Sequence, residues 1–200
     1  RVMTEDAVYR ATVLGEAYAR IDRLPAAVLL DNVRSLYNVG AFFRTADAVR
    51  AESIVLGGIT PTPEDPRIAK TALGAERIVP WSASADPAAA VDGLRARGFE
   101  IAAIETTLHA VDLFDWRPQF PVCVLFGHEV EGIAPALLER CDVHVRIPTL
   151  GTKGSINVAT AGGVVLYELL RKYRDLVRAG QAPGTPRSKP HTGRGGIIGS

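Results

Sequence analysis

The stretch Val143-His-Val-Arg-Ile-Pro-Thr-Leu-Gly-Thr-Lys-Gly-Ser-Ile-Asn-Val-Ala159 decides how the chain is read. Val143 to Ile147 has the β-branched, alternating character of a strand, and Pro148 stops it because proline has no N–H for the ladder. A loop with Gly151 and Gly154 follows. From Ile156 to Leu170 the residues are mostly Ala, Gly, Val and Leu, with Glu168 the one charged side chain. This reads as a helix packed on a core, with Ser155 as its expected cap. A strand, a glycine loop and a helix start bring unpaired backbone N–H groups and small residues together, where a ligand can lie against the main chain. The same pattern also describes an ordinary strand-to-helix connection.

Working outward, the same alternation recurs. Ala26–Leu30, Ser53–Leu56, Arg77–Pro80, Phe99–Ile104 and Pro121–Phe126 read as strands, the last having the strongest apolar run. Between them lie helical patterns from about Asn38 to Val49, Arg67 to Leu73, Asp86 to Arg97 and Ala134 to Arg140. Thr4 to Arg23 reads as a leading amphipathic helix. Strands alternating with helices predict an α/β domain, a mostly parallel sheet flanked by helices. The glycine-bearing polar loops follow the carboxyl ends of strands, the edge at which open α/β sheets bind ligands.

Two hundred residues, 47% apolar, with a net charge of +1 suit one globular domain and leave overall charge silent about a nucleic-acid partner. The distribution says more. The last thirty residues carry Arg171, Lys172, Arg174, Arg178, Arg187, Lys189 and Arg194 against Asp175 alone. Cys123 and Cys141 lack metal-ligand spacing and are expected as free thiols. No secretory signal and no bilayer-length apolar run is visible, so no membrane role and a cytoplasmic location are expected. The expected divisions are a helical extension over 1–25, the α/β domain over 26–178 and a basic, Pro/Gly-rich tail over 179–200.

Three loops carry candidate chemistry. Asn38-Val-Gly40 with Arg44 puts an amide and a guanidinium on one early helix, and arginine can grip a phosphate or carboxylate through two parallel hydrogen bonds. The plain alternative is a capping asparagine and a solvated arginine. Gly127-His-Glu129-Val-Glu131-Gly132 lets the backbone approach a ligand and offers carboxylate acceptors; the alternative is a tight turn. Without a Gly-Lys-Ser/Thr run, nucleotide-triphosphate hydrolysis is disfavoured. In the third loop Ser155 and Asn157 present a hydroxyl and an amide, or serve as helix caps.

Together, Asn38-Val-Gly-Ala-Phe-Phe-Arg-Thr-Ala46, Phe126-Gly-His-Glu-Val-Glu-Gly-Ile133 and Ile147-Pro-x-x-Gly-x-x-x-Ser-Ile-Asn-Val-Ala159 resemble the three ordered motifs of the SpoU (TrmH) family of RNA ribose 2′-O-methyltransferases, of the SPOUT class. The resemblance covers about residues 26 to 172. It implies a C-terminal trefoil knot, S-adenosylmethionine as cofactor with S-adenosylhomocysteine as product, no metal, and a homodimer whose active site draws on both subunits. By position it places Arg44, Asn38, Glu129, Ser155 and Asn157 at the reaction, and Thr106, Gly127, Ile147, Leu150 and Ile156 against the cofactor. The partner it implies is RNA, tRNA or rRNA, with the small extent of residues 1–25 leaning toward tRNA. A catalytically silent RNA-binding protein of the same fold is the rival. Leu36-Tyr37 and Ile156 depart mildly from the usual motifs, and His128 fills a variable slot.

Overall fold

The computed structural model describes residues 22–181. The expected leading helix and most of the basic tail lie outside them. Seven strands form one sheet in the order β3-β2-β1-β6-β4-β7-β5. They are β1 (Leu24–Asp31), β2 (Ala51–Gly57), β3 (Trp81–Ser84), β4 (Glu100–Ile104), β5 (Val111–Asp112), β6 (Val122–Phe126) and β7 (Val143–Arg146). Every pairing is parallel. The helices are α1 (Leu36–Ala48), α2 (Ala69–Ala72), α3 (Pro87–Ala96), α4 (Pro135–Leu138) and α5 (Val158–Arg178), with a 3-10 turn at Ala75–Arg77.

The central strand shows why the sheet is covered on both sides. All eight residues of β1 are buried. Because successive side chains alternate across a strand, Ala26, Val28 and Leu30 join Phe42, Phe43 and Leu166 on the α1/α5 face. Ala27 and Leu29 join Val91, Leu94 and Leu137 on the α3/α4 face. A strand with two buried faces reads as an unbroken apolar run, as Ala26–Leu30 does. On the first face, the Phe42 and Phe126 rings stand 5.0 Å apart at 57°. Gly162 of α5 admits that packing, since a Cβ there would come within 2.2 Å of the Phe42 ring. Cys123 is buried and Cys141 half-buried, both as free thiols.

Several expected elements differ. The run Arg77–Pro80 is not a strand; it finishes the 3-10 turn, and the edge strand starts at Trp81. Val79 is buried but Ile78 is 48% exposed, so this apolar run is only half absorbed by the core. The helices expected at Arg67–Leu73 and Ala134–Arg140 shrink to single turns. α1 starts two residues earlier than Asn38, with Ser35 as cap: its Oγ accepts the Asn38 N–H at 3.3 Å. At α5 the cap is Asn157 rather than Ser155, its Oδ1 accepting from the N–H groups of Ala159 and Thr160 at 3.0 and 3.1 Å. An amide two residues later in the chain reaches the second and third helical N–H groups, which Ser155 does not. The first strand begins at Leu24, just inside the segment expected as an extension.

Candidate active site at the carboxyl edge of the sheet

The register pairs Leu30 with Phe126, Ala103 with Leu125 and Ile104 with Val145, so β1, β6, β4 and β7 end at one edge. The connections leave that edge in opposite directions. After β1 the chain moves to β2 on one side; after β6 it moves to β7 on the other. Between such connections an open parallel sheet has a crevice. Here it is a cleft of about 480 Å3, floored by Ile104, Phe126 and Val145 and walled by the loops after β4, β6 and β7. That size suits a small organic ligand.

A chain of hydrogen bonds joins the three motif loops beside this cleft. Glu129 accepts from the backbone N–H of Arg34 at 3.2 Å and of Ser35 at 3.0 Å, groups that open the N-terminus of α1. The same carboxylate accepts from Asn38 Nδ2 at 3.0 Å. Asn38 Oδ1 in turn accepts from Asn157 Nδ2 at 3.2 Å, and Asn157 Oδ1 is the α5 cap. Each amide orientation therefore follows from its neighbour, because an ionised carboxylate only accepts and a backbone N–H only donates. Residues 91 and 119 positions from Asn38 meet on it.

Partial burial raises the Glu129 pKa, but its own backbone N–H, the Asn38 amide and the Ser35 and Arg34 N–H groups outweigh that and leave it below the usual glutamate range. A carboxyl depressed in the folded state contributes stability that is complete above its unfolded pKa and is lost as pH falls through the folded one. The contact between this loop and α1 is thus expected to survive acidification through the ordinary glutamate range and fail below it. The amide resonances of Arg34 and Ser35, followed by NMR against pH, report this directly; a midpoint at or above the ordinary glutamate value would refute the assignment.

The second loop is held in shape from within. His128 pairs with Gly132 through both backbone groups, at 3.0 and 2.9 Å. His128 Nδ1 accepts from the N–H groups of Val130 and Glu131 at 3.2 and 3.1 Å, so the residue in the variable slot organises the turn. Gly132 has φ +71, and its missing Cβ leaves room for Glu105 Oε2, which a Cβ would approach within 2.6 Å. Glu105 accepts from Thr106 N–H at 3.0 Å and Ile133 N–H at 3.3 Å, tying the end of β4 to this loop. Glu105 also lines the cleft. Sequence reading missed Glu105, for nothing local marks one carboxylate after a strand as different from another.

The expected site residues divide as follows. Thr106, Gly127, Ile147 and Ile156 line the cleft, as do Glu129, Ser155 and Asn157. Asn38 reaches it through Glu129 and Asn157. Leu150 does not line it; its side chain is fully exposed on the loop after β7. Arg44 does not line it either. It lies on the exposed side of α1, more than a turn beyond Asn38, and makes no hydrogen bond or ion pair among the described residues. Six residues correspond to about 600° of helix rotation, so Asn38 and Arg44 cannot point the same way. Among the described residues no group of His, Cys, Asp and Glu is arranged to hold a metal ion, and no helix is long and apolar enough to cross a membrane.

Comparison with known proteins gives a consistent picture. The chain is 32% identical over 166 residues to the 23S rRNA (guanosine-2′-O-)-methyltransferase RlmB of Pseudomonas syringae, covering 82% of this chain and 66% of that protein. The structure of an AdoMet-bound rRNA methyltransferase from Sinorhizobium meliloti superposes with a TM-score of 0.69 at 29% identity, over 76% of this chain and 61% of the other. The TrmH/SpoU tRNA modifying enzyme of A. aeolicus does so with a TM-score of 0.70 at 25% identity, over 82% and 83%. The chain spans about three-fifths to two-thirds of the length of several such relatives. With the SpoU rRNA Methylase family matched over residues 25–167, the span that carries the sheet, the cleft and all three motif loops, the chain belongs to that family.

Proposed function

We propose that the protein transfers a methyl group from S-adenosylmethionine to a ribose 2′-hydroxyl of RNA, with residues 26–178 as the methyltransferase domain. The observation that carries this reading is the Glu129–Asn38–Asn157 chain, which gathers the three motif loops around one cleft. The cleft suits the cofactor. Gly127 presents bare backbone where a Cβ would strike Gly132 and Ile133 within 2.3 to 2.4 Å, and Ile147 and Ile156 offer apolar flanks beside Thr106. β7 lies between β4 and β5, so the chain before β6 already brackets it; this placement supports the family's trefoil knot.

When bound, S-adenosylmethionine would supply an electrophilic sulfonium methyl for in-line attack by a hydroxyl oxygen, the carbon–sulfur bond breaking to leave S-adenosylhomocysteine and the hydroxyl proton passing to water. Ser155 and Asn157, on the cleft wall, hold the ribose so that its 2′-oxygen faces that methyl. Such alignment is worth roughly 7–11 kcal/mol. Arg44 serves as an electrostatic clamp that grips the adjacent phosphate and stabilises the forming alkoxide. A guanidinium is a fixed cation with five donors, which suits a clamp and not a base. Since Arg44 lies outside its own cleft, a homodimer delivers it to the cleft of the other copy. The exposed Val164 and Tyr167 on the outer side of α5 supply an apolar face for that association.

Similarity to the 23S rRNA methyltransferase RlmB of two Pseudomonas species weighs toward rRNA, against the expected tRNA. Labelled S-adenosylmethionine incubated separately with tRNA and with rRNA, followed by nuclease mapping, tests the reading. Label on a 2′-O-methylated nucleotide is expected. Cofactor binding without transfer to either RNA would favour the silent RNA-binding protein, and label on a base would displace the ribose assignment.

A further inference from the structure

The face beside the cleft that includes the first turn of α1, α2 and the 3-10 turn has an unusual composition. Tyr37 is 65% exposed and Leu73 66%, and Ile59 on the loop after β2 is exposed as well. Arg34 and Lys70 are exposed, and their side chains make no hydrogen bond or ion pair among the described residues. Arg77 is exposed too, with only a 3.6 Å approach to Glu76. The acidic groups here are mostly committed. Asp65 holds Arg67 at 2.6 Å, and buried Glu76 accepts the Gly74 N–H at 2.9 Å. Glu64 turns toward Thr62. Among the described residues this partly aromatic surface therefore keeps Arg34 and Lys70 unpaired and Arg77 only loosely paired, with a net positive charge.

These pieces are joined to each other and to the cleft. Thr71 Oγ1 donates to the Tyr37 carbonyl at 3.3 Å. Gly40 lets α2 press against α1, since a Cβ there would come within 2.7 Å of the Ile68 carbonyl. The Ile59 N–H donates to Asn32 Oδ1 at 3.1 Å. Tyr37 immediately precedes Asn38, and the Arg34 N–H is already bonded to Glu129. A second feature is independent of charge. Leu73 ends α2 at φ 51, a left-handed conformation that costs a bulky residue roughly 1–2 kcal/mol and that glycine adopts freely. This strained geometry holds an apolar side chain out in solvent, although Gly74 stands next to it.

We infer that this α1–α2 face is a docking surface for single-stranded RNA, which leads the strand to the cleft. Phosphates pair with Arg34, Lys70 and Arg77, and an unstacked base lies on Tyr37 with Leu73 at its edge. Single-stranded RNA fits because an exposed ring stacks only on a base free of its helix, while isolated cations follow the backbone without reading sequence. The inference rests on the proposed function only in taking RNA as the acceptor.

The test uses fluorescence anisotropy of a labelled oligouridine over a salt series, with calorimetric S-adenosylmethionine binding and methyl transfer to RNA measured alongside. Tyr37→Ala is expected to weaken oligouridine binding roughly five- to a hundredfold. Lys70→Ala should lower the slope of log affinity against log salt by about 0.7. Leu73→Gly should weaken RNA binding without loss of thermal stability, which separates docking from folding. Cofactor affinity should not change in any of the three. Wild-type affinity and salt slope in all three variants would overturn the docking surface while leaving methyl transfer standing. Binding lost in the variants, with no transfer by the wild type to any RNA, would support the surface and sink the enzymatic reading. A shift to monomer in light scattering on Tyr37→Ala or Leu73→Gly would instead assign the face to a second copy.

Discussion

Replacing Arg44 with alanine is expected to slow methyl transfer by about a hundred- to a thousandfold under single-turnover conditions while leaving S-adenosylmethionine affinity unchanged. That is the usual loss when one donor to a developing oxyanion is removed. The separation of the two readouts follows from geometry, because Arg44 lies on the exposed side of α1 and does not line the cleft of its own chain. Arg44→Lys should recover little, since an ammonium lacks the planar fork that spans a phosphate and an alkoxide together. The proposed dimer adds a sharper test. Arg44→Ala and a cofactor-binding variant, each strongly impaired alone, should regain activity when mixed and allowed to exchange subunits, for one hybrid site then has both an intact cleft and an intact arginine. No recovery from a demonstrated hybrid would show that arginine and cleft act within one chain. Full activity of Arg44→Ala alone would remove Arg44 from the chemical step.

Gly127→Val supplies that second variant and has the other large expected effect. A Cβ at position 127 would lie 2.3 Å from the Gly132 carbonyl carbon and 2.4 Å from the Ile133 nitrogen. These are backbone atoms with no rotamer to yield, so the loop itself must move. Its displacement breaks the His128–Gly132 pairing and shifts Glu129 away from the start of α1. Overpacking of this severity costs about 3 kcal/mol or more. S-adenosylmethionine affinity should fall roughly a hundredfold or further, as calorimetry would show. Circular dichroism should retain the fold, because Gly127 lies beyond the end of β6 and outside both cores. Undiminished cofactor affinity would mean that the ligand does not lie on this backbone.

Much of the architecture was legible in the chain, and the exceptions have a common cause. β1 and β6 are buried on both faces and therefore appear as unbroken apolar runs that no helix pattern imitates. Arg77–Pro80 misled because an apolar pair beside a proline satisfies a strand pattern equally well, and only the edge of the sheet decides where pairing starts. The misplaced caps arose similarly. Ser35, Asn38, Ser155 and Asn157 are all competent capping residues within a few positions of a helix start, so local chemistry does not choose among them. Asn38 is not the cap because its amide is already engaged by Glu129 and Asn157, residues far away in the chain.

By itself, then, the sequence determined the α/β class, a mostly parallel sheet flanked by helices and the three loops in which polar chemistry resides, because periodicity, prolines and glycines act over a few residues. Tertiary structure alone decided that Glu129, Asn38 and Asn157 form one hydrogen-bonded chain, that Glu105 braces the cleft, and that Leu150 and Arg44 stand apart from it. Those outcomes depend on sheet register and helix rotation. Both are set by packing between segments some hundred residues apart, such as Phe42 against Gly162 and Phe126, and no local pattern encodes them.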